Sequence, residues 1–323
     1  MLSRTADAIY WLARYVERAE NVARFVDVNF TLALDLPDAA AAQWKPMVAT
    51  TGDESEFSER YDDFNEQSVV EFLTFDRENP NSILSCLWQA RENARTVRDT
   101  ISSELWEQVN RFYLLVKHAS NQAAIDSPHQ FFSEIKQASH LCTGIADSTM
   151  SHSEPWHFAR LGRLMERADK TARILDVKYY MLLPQADYVG SPYDALLWSA
   201  LLRSASAFEM YRKRFRAIQP DRVVEFLMLD RHFSRSMRFC VTGAERSLRA
   251  ITGSESSTYN NPAERKLGHL RSEMDYADIR EILDEGLHEY LDQFQEKLNQ
   301  VGGAVFETFF ALKPLLAGNR TQS

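Results

Sequence analysis

One polar helical pattern stands twice in this chain. Arg14-Tyr15-Val16-Glu17-Arg18-Ala19-Glu20 continues to Ala23-Arg24 and Asp27-Val28; Arg163-Leu164-Met165-Glu166-Arg167-Ala168-Asp169 continues to Ala172-Arg173 and Asp176-Val177. Glu17 and Glu166, Arg24 and Arg173, and Asp27 and Asp176 are all 149 residues apart, so the repeat has no gap. Packing alone rarely dictates charge, so charges repeated in register constrain the fold more than repeated leucines would. At about 100° per residue, Arg14, Glu17, Glu20, Arg24 and Asp27 form one stripe. Leu12, Tyr15, Ala19, Val22 and Val26 gather opposite, which predicts an amphipathic helix. Arg163, Glu166, Asp169, Arg173 and Asp176 repeat that stripe. Arg18 and Arg167 fall at its margin, where a guanidinium can reach a neighbouring helix.

A second pair of segments lies 154 residues apart: Val69-Val70-Glu71-Phe72-Leu73 with Val223-Val224-Glu225-Phe226-Leu227, then Asp76-Arg77 with Asp230-Arg231. It continues through Ser82 with Ser236, Cys86 with Cys240, Ala90 with Ala244 and Arg95 with Arg249. The larger offset places a small insertion between the two motifs of the second half. Only 11 glycines and 10 prolines punctuate 323 residues, too few for many short strands. Breaks at Pro37, Pro46, Pro80, Pro128, Pro155, Pro184, Pro192, Pro220, Pro262 and Pro314 separate segments of helical period. The expected fold is all-α: an internally duplicated bundle of about ten helices, with pseudo-two-fold symmetry and several helices longer than about twenty residues. No flexible linker divides the halves, at about 1–150 and 151–316, so a shared core is expected, with residues 317–323 a disordered tail.

The formal charge of −9 argues against general binding to a nucleic-acid backbone, which needs clustered cations. No run of about 18 apolar residues predicts a membrane span, and the opening residues lack the basic-then-apolar pattern of a secretory signal. Cys86, Cys142 and Cys240 are odd in number and far apart, as expected of reduced core thiols in a cytoplasmic protein.

The opening Met1-Leu2-Ser3-Arg4-Thr5-Ala6-Asp7, Ile9-Tyr10-Trp11 and Arg14 to Asn21 resembles the bacterial α-E domain family, an all-helical family with a signature Glu-Arg pair. Both Glu17-Arg18 and Glu166-Arg167 look like this pair. The resemblance runs through Asp76, Asn79-Pro80, Ser82-Ile83, Ala90-Arg91-Glu92-Asn93-Ala94-Arg95, Val97-Arg98-Asp99, Ile101-Ser102, Glu104, Trp106 and Asn110. It covers the chain to about residue 316 as one α-E domain. It implies a family without an established activity, typically encoded beside a circularly permuted ATP-grasp protein and a transglutaminase-like or proteasome-related protein. Such a set is similar to a system that makes and trims a peptide or amide linkage, so an ATP-grasp-type ligase and a transglutaminase-like protein are the implied partners and a peptide the implied substrate. The halves differ where Arg91-Glu92-Asn93 aligns with Glu245-Arg246-Ser247, and Asn79-Pro80 with Phe233-Ser234, so chemistry at these positions is expected to be asymmetric.

Asn79 is read as the cap of a helix that Pro80 starts. On that helix Arg91, Arg95 and Arg98 would share a face with Glu92 and Asp99. They would form either a site for carboxylate or phosphate or a salt-bridge network between helices. Ser102 is expected to cap the next helix, on which Trp106, Asn110 and Tyr113 form a ligand wall or, more ordinarily, core. No cofactor is expected: no phosphate-binding glycine loop is present, and no metal site is expected where Arg18 and Arg24 stand beside Glu17 and Glu20. The bland reading of the stripes is a solvated face with local ion pairs such as Glu20 with Arg24; beyond it, three functions stay open for the stripes. They line a polar cleft of a substrate-binding accessory protein; or Glu17 or Glu166 is a general base in a stand-alone enzyme with Arg18 or Arg167 as electrostatic stabiliser; or the pairs are buried locks in an interaction scaffold.

Overall fold

The computed structural model describes residues 1–35, 44–121, 125, 127–181, 192–255 and 258–311. The alanine-rich connector after Pro37, the breaks at Pro184 and Pro314 and the tail at 317–323 lie outside the described residues. Among the described residues there are fifteen α-helices and no strand. The first seven are α1 (Ser3–Asp35), α2 (Trp44–Thr51), α3 (Glu54–Ser58), α4 (Glu66–Thr74), α5 (Ile83–Thr96), α6 (Ser103–Ala119) and α7 (Pro128–Thr149). The next eight are α8 (Glu154–Met181), α9 (Pro192–Ser204), α10 (Phe208–Arg214), α11 (Pro220–Leu229), α12 (Met237–Thr252), α13 (Pro262–Tyr276), α14 (Ile279–Glu285) and α15 (Leu287–Val305). A π-helical turn, Phe306–Phe310, follows. The expected count of about ten fell short because helices such as α3, α10 and α14, of five to seven residues, are too brief to show a period. The expected long helices are α1, α7 and α8, at 33, 22 and 28 residues.

Helix starts follow side-chain capping. Asn65 and Ser68 form a reciprocal capping box on α4, and Ser102, Ser236 and Asn261 accept backbone N–H groups at the starts of α6, α12 and α13. The start of α5 differs from expectation. Asn79 is not its cap: its Nδ2 donates to the Phe72 carbonyl (3.0 Å) and its Oδ1 accepts from the Asn81 N–H (2.8 Å). Asn79 therefore holds the turn, and Ser82 caps α5 instead. That helix ends at Thr96, so Arg98 lies beyond it and not on its face.

The two motif helices form the middle of the bundle. The Met1 amine meets Glu154 at 2.9 Å, the Tyr10 carbonyl faces Gly162, and Arg18 meets Glu166. These partners advance together, so α1 and α8 lie side by side and run in the same direction. α5 and α7 pack on α1, while α12 and α15 pack on α8; α6 bridges the first pair of flanking helices and α13 the second. The short helices cross over: α2 packs on α8 and α9 on α1. One apolar cluster runs through both parts of the chain, including Val22, Leu87, Leu161 and Leu248, each fully buried.

The helix pair meets most closely at Gly162, where a Cβ would lie 2.3 Å from the Tyr10 carbonyl oxygen. Backbone cannot yield there as a side-chain tip can. Gly162→Ala is expected to cost about 1–3 kcal/mol, read as a lowered urea midpoint with an unchanged m-value; an unshifted midpoint would contradict this close approach.

Candidate functional site

Both faces of α1 are buried, because α8 presents a matching polar stripe. Glu17 is 2% exposed, Glu20 and Glu166 are 0%, Arg24 is 8% and Asp169 is 7%. Between the helices the pairing is reciprocal. Arg167 donates to Glu17 through Nε and Nη2, both at 2.8 Å. Arg18 donates to Glu166 through Nε (2.6 Å) and Nη2 (3.0 Å). Each glutamate of a Glu-Arg dipeptide thus takes the arginine of the other dipeptide, in the two-pronged geometry that suits guanidinium and carboxylate.

Further cations complete each centre, but not at matching positions. Around Glu166, Arg14 donates through Nε (2.8 Å) and Lys170 lies 4.0 Å away. Around Glu17, Arg235 at the head of α12 donates to Glu17 (3.0 Å), Asn21 (2.9 Å) and Glu20. Lys170 stands where the first copy has Asn21, and Asn81 stands where the second has Arg235. Asn81 is a neutral acceptor for Arg18 (2.6 Å). The additional cation thus stands at the head of α12 in one centre and on α8 in the other, and both carboxylate pairs are compensated.

The outer stripe residues are also paired. Arg24 binds Glu20 and Arg173 binds Asp169, each one turn away. Asp27 accepts from His129 (2.8 Å) and Lys136 (2.6 Å) on α7, and Asp176 lies 2.6 Å from His288 on α15. Burial pushes the Glu17 carboxyl up, but Arg167 and Arg235 outweigh it and hold it below the ordinary value. Glu20 is held well below by Arg235 and Arg24, and Glu166 by Arg18, Arg14 and Lys170, again against burial. Asp169 is lowered against burial by Lys170 and Arg173.

Arg163 breaks the correspondence. Its counterpart Arg14 binds Glu166, whereas the buried Nε of Arg163 has no hydrogen-bond partner. Burial, then the neighbouring Arg167, push its pKa down. Arg163→Met is expected to leave stability within about 1 kcal/mol of wild type or to raise it, since burial of an under-compensated charge is costly. A urea-unfolding loss of about 3 kcal/mol or more would show instead that Arg163 helps hold Glu17.

The first-half cluster is a local network on the surface of α5 and α6. Arg91 donates to Asn110 (2.7 Å) and Glu92 (2.9 Å), and Arg95 donates to Glu92 (2.9 Å). The Arg91 and Arg98 guanidinium groups lie 5.9 and 5.0 Å from the Trp106 ring centre. Asn93 is half-buried, and exposed Glu104 sits in the first turn of α6, where negative charge suits the helix dipole. Asp76 organises the turn before α5: it accepts from Arg60 (2.6 Å), Tyr61 (3.3 Å) and the Glu78 N–H (2.9 Å). Asp230 does the same with Arg214 and the N–H groups of His232 and Phe233. Arg60 and Arg214 are themselves 154 residues apart, a match that extends the second repeat.

A wide cleft opens elsewhere, between α8, α12 and α13. It encloses about 860 Å³ and is lined by Arg160, Arg231, Arg238, Arg246 and Arg271 with Asp275. Comparing the two halves of the sequence reveals its signal: α12 carries Arg238, Thr242 and Arg246 where α5 carries Leu84, Trp88 and Glu92. Among the described residues no group of three or more His, Cys, Asp or Glu is placed to hold a metal ion, and no helix is long and apolar enough to cross a membrane. All three cysteines are free and buried, with burial pushing each thiol up to about 12.

Residues 1–310 match Alpha-E, described as a predicted alpha-helical domain with a conserved ER motif. The chain belongs to the Alpha-E family. Uncharacterized proteins of Mycobacterium bovis and Mycobacterium tuberculosis are 22% identical to it over 275 residues. Each match covers 79% of this chain but only 30% of the mycobacterial protein, so the chain spans under a third of those relatives' length. No solved structure matches it. In this Alpha-E chain, Glu17-Arg18 and Glu166-Arg167 join the two central helices, because neither dipeptide is satisfied without the other.

Proposed function

We propose that this Alpha-E chain is a helical binding scaffold working beside an ATP-grasp-type ligase and a transglutaminase-like protein, in a cytoplasmic peptide- or amide-processing system. Its two halves arose by duplication and are related by an approximate two-fold axis along α1 and α8. The observation that carries the reading is that the Glu-Arg groups satisfy each other. Glu17 and Glu166 are 2% and 0% exposed and held in the charged form by arginines. Such carboxylates are poor proton acceptors near neutrality, which disfavours a stand-alone enzyme built on them. The mycobacterial relatives support a modular role, since the matched region is 30% of each.

Co-purification with an ATP-grasp protein encoded beside this chain, coupled to a ligase assay with and without it, tests the proposal. Stable association and a changed product yield are expected. Failure to associate together with an unchanged yield would contradict it.

A further inference from the structure

We propose that the arginine-lined cleft between α8, α12 and α13 binds an extended acidic peptide through its carboxylates. The cleft carries more positive charge than its own residues neutralise. Arg238 donates to Asp275 (2.7 Å), and Arg271 binds Asp275 and Glu245. Arg160 instead directs Nη1 at neutral acceptors, the Gly243 carbonyl (3.1 Å) and the Ser247 hydroxyl (3.0 Å). Arg231 and Arg246 are exposed, and none of Arg160, Arg231 and Arg246 makes an ion pair among the described residues. Burial and the like charge of Arg246 both work against the Arg160 cation. An incoming anion would relieve that repulsion.

Shape and chemistry favour a peptide. Arg238 and Arg246 are eight residues apart on α12, about 12 Å along the helix axis, the reach of three or four residues of extended chain. The cleft volume of about 860 Å³ lies within the range of ligand-binding clefts. Phe239 and Tyr276 add aromatic surface to the lining. Carboxylate is already the partner of Arg238 and Arg271, in the form of Asp275. One N-terminal amide of α12 is already taken, since the Phe239 N–H donates to the Ser236 hydroxyl (3.1 Å), which makes that helix end a poorer phosphate cradle. The net charge of −9 also opposes a long nucleic-acid backbone tracking beyond the cleft.

This inference rests on the reading of the chain as a binding scaffold. Its test needs no ligase, so the two can fail separately. Fluorescence anisotropy of labelled hexaglutamate and hexaglutamine would be measured with the whole chain at low salt. Hexaglutamate is expected to bind and hexaglutamine not to. The double variant Arg231→Glu, Arg246→Glu should weaken hexaglutamate binding by about tenfold or more, and Arg246→Gln alone by less. Arg111→Glu, an exposed change on α6, should leave binding at the wild-type level. Unweakened binding by the double variant would overturn the proposal, as would an equal loss in Arg111→Glu, which would mark bulk charge. Displacement of the probe by less tripolyphosphate than unlabelled hexaglutamate would overturn it in favour of a phosphate site.

Discussion

Glu166→Ala is expected to lower unfolding free energy by about 3–5 kcal/mol. The carboxylate is fully buried and accepts from both Arg14 and Arg18. Its removal leaves the Arg14 and Arg18 guanidinium groups without their carboxylate inside the helix interface, while Lys170 keeps Asp169 at 3.4 Å. The loss should be larger than for a surface ion pair, where about 1 kcal/mol is the usual ceiling. Urea unfolding followed by helical circular dichroism measures it. A loss below about 1 kcal/mol would mean that solvent reaches the pair. Glu166→Gln should recover part of the loss, since the amide oxygen can still accept from Arg18, although its amide group cannot serve Arg14.

Acid is expected to unfold the protein through the same residues. The folded pKa values of Glu17, Glu20, Glu166 and Asp169 all lie below the ordinary carboxyl values of 4.5 for glutamate and 3.8 for aspartate. In that window the unfolded chain binds more protons than the folded one, so stability rises with pH. The contribution is complete above the ordinary values and is lost as pH falls through the depressed ones. The contribution of these four groups should therefore be nearly level above about pH 6 and fall steadily below about pH 4.5. Unfolding free energies measured across this range test the sign. In Glu166→Gln the acid slope should be shallower, because one of the four groups no longer titrates. An equal slope in that variant would assign the acid sensitivity to other carboxylates.

Much of this arrangement is legible in the sequence. The constant 149-residue spacing places Glu17, Arg18, Glu166 and Arg167 on equivalent faces of two long helices, and the marginal position of Arg18 and Arg167 anticipates contact between helices. Helical periodicity describes one helix at a time, however, so it cannot say that the charged stripe of α1 is covered by that of α8. Nor can it show Arg235, 218 residues from Glu17 along the chain, whose matched position holds Asn81. Arg238 and Arg246 are visible only as differences between the halves, against Leu84 and Glu92, whereas a repeat is recognised by its similarities. Arg91-Glu92-Asn93 aligns with Glu245-Arg246-Ser247, and Arg246 lines the wide cleft. Asn79 misleads for a local reason: a residue before proline is a good helix cap in isolation, but here its amide is needed to close the turn.

A pair of double-mutant cycles tests the reciprocal exchange of arginines between α1 and α8. One cycle combines Glu17→Gln with Arg167→Met, partners on different helices; the other combines Glu17→Gln with Arg18→Met, neighbours in one dipeptide. The structure predicts a coupling of about 1–3 kcal/mol for Glu17 with Arg167 and about zero for Glu17 with Arg18. Strong coupling within the dipeptide and none between the helices would contradict it.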